Sequence, residues 1–201
     1  MFELWILATL AAALVQTLRF SLQKALQREG LSTGAVTFSR FVFAAPLALV
    51  LAALLLRVWG APAPQMPPRF WAMAALGGLG QIVATLATVA LFAMRNFAVG
   101  IAFTKSETVQ VALFSALVLG EAVSPGGLVA ILTGLGGVLA LSLPRAGGWA
   151  LSGRATALGL AAGALFGLSS VAYRAASLSL GDGAPLLRAG LTLAAVTSLQ
   201  T

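Results

Sequence analysis

Six apolar runs, each about 18–25 residues long, follow one another along this chain. That is the length a helix needs to cross a ~30 Å hydrocarbon layer at 1.5 Å per residue. They cover approximately 3–26, 34–57, 70–93, 97–119, 126–143 and 155–178, and a seventh begins at Pro185 and is cut short at Thr201. Inside a bilayer every backbone N–H and C=O needs an internal partner, so such runs fold as helices. Composition agrees, with 60% hydrophobic and 8% charged residues, against about 25% charged in a soluble domain. The expected class is an all-α polytopic membrane protein. The N-terminal MFELWILATLAAALVQ has no basic n-region and no convincing cleavage site, so it reads as a first spanning helix.

Local chemistry predicts the boundaries. Ser32 or Thr33 caps the second helix. Pro62, Pro64, Pro67 and Pro68 keep the following loop non-helical. Ser124 and Pro125 form an N-cap and first-turn pair that starts the fifth helix, and Pro144 ends it. Pro46 predicts a kink within the second helix. Trp59, Trp71 and Trp149 fall near helix ends, where interfacial tryptophans sit. Short connections predict antiparallel neighbours in a bundle.

The chain has no cysteine and no histidine, which excludes disulfides, thiolate nucleophiles and His-based metal sites or proton shuttles. Its acids are Glu3, Glu29, Glu107, Glu121 and Asp182. No Ser/His/Asp set, metal-ligand spacing or phosphate-cradling loop is present, so neither an enzyme nor a cofactor is expected. The net charge of +7 comes without a basic run, which argues against nucleic acid as a partner and for the lipid bilayer.

A charged side chain deep in a bilayer costs about 2.5–3.5 kcal/mol even on the mildest scale, so the charges inside the runs carry the functional argument. Lys105 and Glu107 lie in AFTKSETVQVALFSALVLGE, with Gln110 on the Glu107 face. Lys105 either faces a cavity or snorkels to headgroups; the shorter Glu107 fits a cavity, partner or substrate better. Arg40, Arg19 or an ordered water chain is the expected partner for Glu107. Gln16, Arg19, Gln23 and Gln27 share one face of the first helix, which lines a cavity or becomes interfacial at its end. Gln81 in the third helix makes either an interhelical hydrogen bond or a substrate contact. Glu121 reads as structural, beside the N-terminus of the fifth helix.

Leu10–Leu26 aligns with Leu160–Ala176 at an offset of 150, and closing a two-residue gap brings Arg40 onto Arg188. In the second copy, Gly159, Gly163 and Gly167 form a packing ridge, and Ser169, Ser170, Tyr173 and Arg174 are candidates to line the cavity of the first helix. One unit is five helices, an odd number, so a second copy enters the membrane inverted, as in secondary transporters with a midplane site. The expected organisation is a first repeat over 1–144, a connecting loop over 145–154, and an incomplete second repeat over 155–201.

VTFSRFVFAAPLAL around Arg40, the run SETVQVALFSALVLGE ending in Gly120 and Glu121, and SPGGLVAILTGLGGVLALS together resemble an EamA-type repeat of the drug/metabolite transporter superfamily. The resemblance implies ten helices in two inverted halves, a multi-pass bacterial inner-membrane location, and movement of small metabolites, often amino acids, commonly outward. By that pattern about three helices lie beyond Thr201, and a chain with half of the pair closes a two-sided cavity only as a homodimer. Many relatives carry a proline near the middle of the fourth helix, where this chain has Lys105–Gln110. The resemblance also implies cytoplasmic termini, whereas the loop charges point weakly the other way: Lys24, Arg28, Arg95, Arg145 and Arg154 against Arg57, Arg69 and Arg174. The expected substrate pathway comprises Gln16, Arg19, Arg40, Gln81, Lys105, Glu107, Gln110 and Tyr173, with Lys105, Arg19 and Arg40 attracting an anion and Glu107 binding a proton or an amine. The alternatives are a non-transporting assembly subunit and a lipid-linked sugar flippase.

Overall fold

A computed structural model describes residues 4–60, 62, 64–94, 97–142 and 153–201. Glu3, Arg95, Pro144, Arg145 and Trp149, with most of the expected connecting loop, lie outside the described residues. Among the described residues the chain is all-helical, in the order α1 (Leu4–Arg28), α2 (Thr33–Val42), α3 (Ala44–Trp59), α4 (Pro68–Phe92), α5 (Phe97–Thr104), α6 (Glu107–Leu119), α7 (Pro125–Ser142), α8 (Gly153–Leu178) and α9 (Pro185–Leu199). Five stretches are long and apolar enough to cross a membrane: Ile6–Arg28, Thr33–Trp59, Pro68–Phe92, Gly100–Leu119 and Gly153–Leu178. This is the composition of a membrane protein. Leu14, Leu47, Val58 and Leu117 are more than 70% exposed, as side chains facing lipid would be.

The capping chemistry falls where the residues place it. Ser32 Oγ accepts from the Ala35 N–H at 3.2 Å and opens α2. Ser124 Oγ accepts from the Gly127 N–H at 3.1 Å and opens α7, with Pro125 first in the helix. The kink expected from Pro46 is a full break at Phe43, which caps α2 and begins α3. Pro46 has no N–H to offer the Val42 carbonyl four residues back, so the ladder parts there.

The fourth apolar run, expected as one helix over 97–119, is two. It breaks between Thr104 and Glu107, without proline or glycine at the break. The break tightens into three-residue bonds, Lys105 N–H to Ala102 O at 3.0 Å and Ser106 N–H to Phe103 O at 3.1 Å. Three hydroxyls donate to nearby carbonyls: Thr104 to Ile101 at 2.6 Å, Ser106 to Phe103 at 2.7 Å and Thr108 to Lys105 at 2.8 Å. Hydroxyl side chains compete with the helical ladder in this way, and in a bilayer they satisfy groups the break releases.

The densest packing joins helices far apart in sequence, not chain neighbours. α8 lies against α4 on one side and α5–α6 on the other, and α3 packs on α9. A Cβ on Gly80 of α4 would sit 3.3 Å from the Leu165 carbonyl, and one on Gly77 would strike the Tyr173 ring, so α4 and α8 run antiparallel. The ridge of α8 seats the broken helix: a Cβ on Gly163 would meet Thr104 O at 2.9 Å and Ser106 Oγ at 3.0 Å, and one on Gly167 would meet Val111 at 3.4 Å. α5–α6 therefore runs parallel to α8. Small residues permit this approach, which in a bilayer supplies much of the association energy. A second contact buries Ala48, Ala52 and Leu55 of α3 against Leu187, Leu191 and Ala194 of α9.

Candidate functional site: a charged cavity at the broken helix

The break lies beside a small, partly open cavity of about 160 Å³. From α1, Gln16, Arg19 and Phe20 line it. From α2 comes Arg40, and from α4 Gln81. The break supplies Thr104, Lys105 and Glu107, and α8 supplies Phe166, Ser169, Ser170 and Tyr173. Seven of the eight residues expected in the pathway meet here. The eighth, Gln110, does not line the cavity; its Nε2 donates to Ser106 Oγ at 3.1 Å and braces the break. Arg19 and Gln81 fall near the midpoints of spans of 23 and 25 residues.

Within each segment a local reason aims the side chain inward. On α1, Gln23 is buried and Gln27 Nε2 donates to the Val89 carbonyl of α4 at 3.1 Å, so the later part of the polar stripe faces protein, while Gln16 is exposed. The guanidinium of Arg19 lies 4.6 Å from the Phe20 ring centroid, and the Lys105 ammonium is 5.9 Å from the same ring. Such contacts stabilise cations that have left water. Arg40 Nη1 donates to Thr85 Oγ1 at 2.6 Å, and Thr85 donates in turn to the Gln81 carbonyl at 2.8 Å.

Gln81 serves both of its expected roles geometrically. Its Oε1 accepts from Tyr173 Oη at 3.0 Å and from Gln200 Nε2 at 2.9 Å, and Gln200 also donates to the Gly78 carbonyl at 3.1 Å. This network closes one side of the cavity and separates it from a larger groove of about 510 Å³ between α8 and α9. On the other side Gln16 and Lys105 also line two open grooves, one along α1 and α5 and one against α7.

Glu107 has no ion pair within 4.0 Å; among the described residues the one such pair is Arg174–Glu121 at 2.6 Å. Lys105 and Arg19 are the cations whose charge reaches it. Arg40, the other expected partner, instead engages Thr85. Glu121 is also placed differently from the expectation: Arg174 and Ser115 hold its carboxylate, and Ser124 caps α7. The guanidinium of Arg174, joined by the Ser115 hydroxyl, holds the exposed Glu121 carboxyl below its ordinary value. Arg174 accordingly points away from the cavity.

Ser169, a candidate to line the cavity of the first helix, does line it; it is 1% exposed and its hydroxyl interacts with Tyr173. Arg19 Nε is buried and unpartnered. At the offset of 150 Ser169 aligns with Arg19. Gln16, Arg19 and Phe20 align with Phe166, Ser169 and Ser170, and all six line the same cavity. No family model, no curated protein and no solved structure matches the chain.

Proposed function

We propose that this chain is a secondary transporter of small polar or anionic metabolites, built on an inverted repeat of the EamA type and working by alternating access in a bacterial inner membrane. The observation that carries the reading is the lining of the cavity. Positions 16, 19 and 20 of α1 and 166, 169 and 170 of α8, which match at the offset of 150, face one small polar space, near the middle of spans whose outer surfaces are apolar. Transporters with related halves place their sites at such an interface, beside broken helices. α5–α6 is such a helix, and its break presents Lys105 and Glu107 to the cavity. At the offset of 150, α1 maps onto 154–178, nearly the extent of α8.

An assembly subunit would pair its charges between helices. The cavity charges are not so paired, and the ion pair found among the described residues lies at a helix end. The small volume of the cavity, about 160 Å³, likewise favours a metabolite over a lipid-linked sugar. The decisive measurement is flux in proteoliposomes: Glu107→Gln is expected to abolish substrate movement while membrane insertion and melting stay as in the parent. Parental flux in that variant would remove Glu107 from the mechanism.

A further inference from the structure

We infer that the cavity binds a compact dianion, two negative charges on one small skeleton, with Glu107 acting against the bound ligand and not as its partner. The inference rests on the cavity being the substrate site and adds the ligand's charge.

Charge and volume carry it. Arg19, Arg40 and Lys105 line the space with Glu107 as the acid. Among all residues that line it, these four are the charged ones, so three cations face one carboxylate. An uncompensated pair of positive charges inside a bundle is costly, because interior charges need partners. Two added negative charges would neutralise the set; a monoanion would leave it charged, and a zwitterion would change nothing. The volume, about 160 Å³, corresponds to roughly five waters at ~30 Å³ each. A four-carbon dicarboxylate or a phosphate fits that space.

The unfilled hydrogen-bonding capacity has the matching character. Arg19 Nε from α1 lines the cavity and is a buried donor without an acceptor. A ligand rich in acceptor oxygens satisfies it. Carboxylate and phosphate oxygens suit an arginine fork equally well, so the shared chemistry is the dianionic oxygen cluster. Glu107 would repel such a ligand. A repelling acid beside a cationic site keeps binding weak enough for release.

Calorimetric titration of the purified protein in nanodiscs tests this, with succinate, inorganic phosphate at pH 8, propionate and glycine as probes at one ionic strength. At least one dianion is expected to bind about tenfold tighter than propionate, a difference of about 1.4 kcal/mol, with glycine weaker still. Which dianion wins separates dicarboxylate from phosphate. Arg19→Gln and Lys105→Gln should each weaken that dianion about tenfold, and Glu107→Gln should tighten it several-fold. Propionate or glycine binding as well as the dianions, loss of dianion binding in Glu107→Gln, or no dianion binding by a cooperatively melting protein would each overturn the inference. Flux of a monoanion or zwitterion that dianions fail to inhibit would sink it and leave the transport reading standing. Dianions that bind yet never cross proteoliposomes would do the reverse.

Discussion

α1 and α8 share Leu10/Leu160, Ala11/Ala161, Ala12/Ala162, Leu18/Leu168 and Ala25/Ala175 at an offset of 150, yet they do different work. Both turn the same positions toward the cavity: 16, 19 and 20 in one, 166, 169 and 170 in the other. Beyond those positions they diverge. α8 is the central helix, with Gly159, Gly163 and Gly167 buried against the broken helix. The matching positions in α1 are Thr9, Ala13 and Thr17, all exposed. The cavity face is thus common to the two helices, while the packing face belongs to α8 alone. The chemistry of the shared face is also divided. α1 brings a guanidinium where α8 brings the Ser169 hydroxyl, and a glutamine where α8 brings Phe166.

The largest expected effect tests the packing half of this contrast. Gly163→Leu must push the Thr104 carbonyl and Ser106, because even a Cβ there would lie 2.9–3.0 Å from them. Overpacking against backbone costs about 3 kcal/mol, so folded yield and melting temperature in detergent should fall sharply. Ala13→Leu, at the aligned exposed position of α1, should leave both unchanged, within about 0.5 kcal/mol. Equal damage from the two would erase the distinction.

A smaller effect tests the polar half. Tyr173 donates to Gln81 and accepts from Gln200, whereas its counterpart Gln23 is buried with an unpartnered Nε2. Tyr173→Phe should destabilise by about 0.6–1 kcal/mol, the usual worth of an interhelical hydrogen bond. Gln23→Leu removes an unsatisfied group and should be neutral or stabilising. Thermal melts of the two variants under the same conditions give the comparison; destabilisation by Gln23→Leu would place a hydrogen bond on that side chain.

These contrasts also mark what could be read before the structure. Span positions, the Ser32 and Ser124 caps and the inward face of Gln16, Arg19, Gln23 and Gln27 follow from periodicity and cap chemistry, which act locally. The convergence of Arg40, Gln81, Lys105 and Glu107 was legible as a cost: charge and amide groups do not enter apolar helices without a place to go. Two features were hidden. The split of the fourth run has no proline or glycine to announce it, and its cause is cooperative: Thr104, Ser106 and Thr108 donate to the backbone while Gly163 leaves room for the break. The alternating hydroxyls were the available signal. The partner of Glu121 was hidden as well. Arg174 is 53 residues away in sequence, and only the parallel packing of α5–α6 on α8 brings them together. Ser169 was legible as well: its alignment with the polar face of α1 made it a candidate for the cavity, and it lines it.

The smallest effect concerns the end of α8, where Arg174 grips Glu121 through Nε at 3.2 Å and Nη2 at 2.6 Å. At the offset of 150 Arg174 matches Lys24, which lines the groove between α1 and α5. The shared basic character therefore has separate uses: in α8 it ties the Leu119–Glu121 turn to the helix, with Gly120 at φ 69° and Ser115 completing the hold. The pair is half-exposed, so solvent screens it and its contribution is modest. Its sign is nevertheless defined. Arg174 lowers the folded-state value of the Glu121 carboxyl, so the stabilisation is complete above the ordinary glutamate value, about 4.3. It is lost as the pH falls below that and through the lower folded value. Melting temperatures across this acid range should decline slightly more for the parent than for Glu121→Gln, which cannot titrate there. The two proteins should differ most at neutral pH and converge at the acid end. Curves that stay parallel to the lowest pH at which the protein remains folded would show that the Arg174–Glu121 contact fixes geometry without contributing stability.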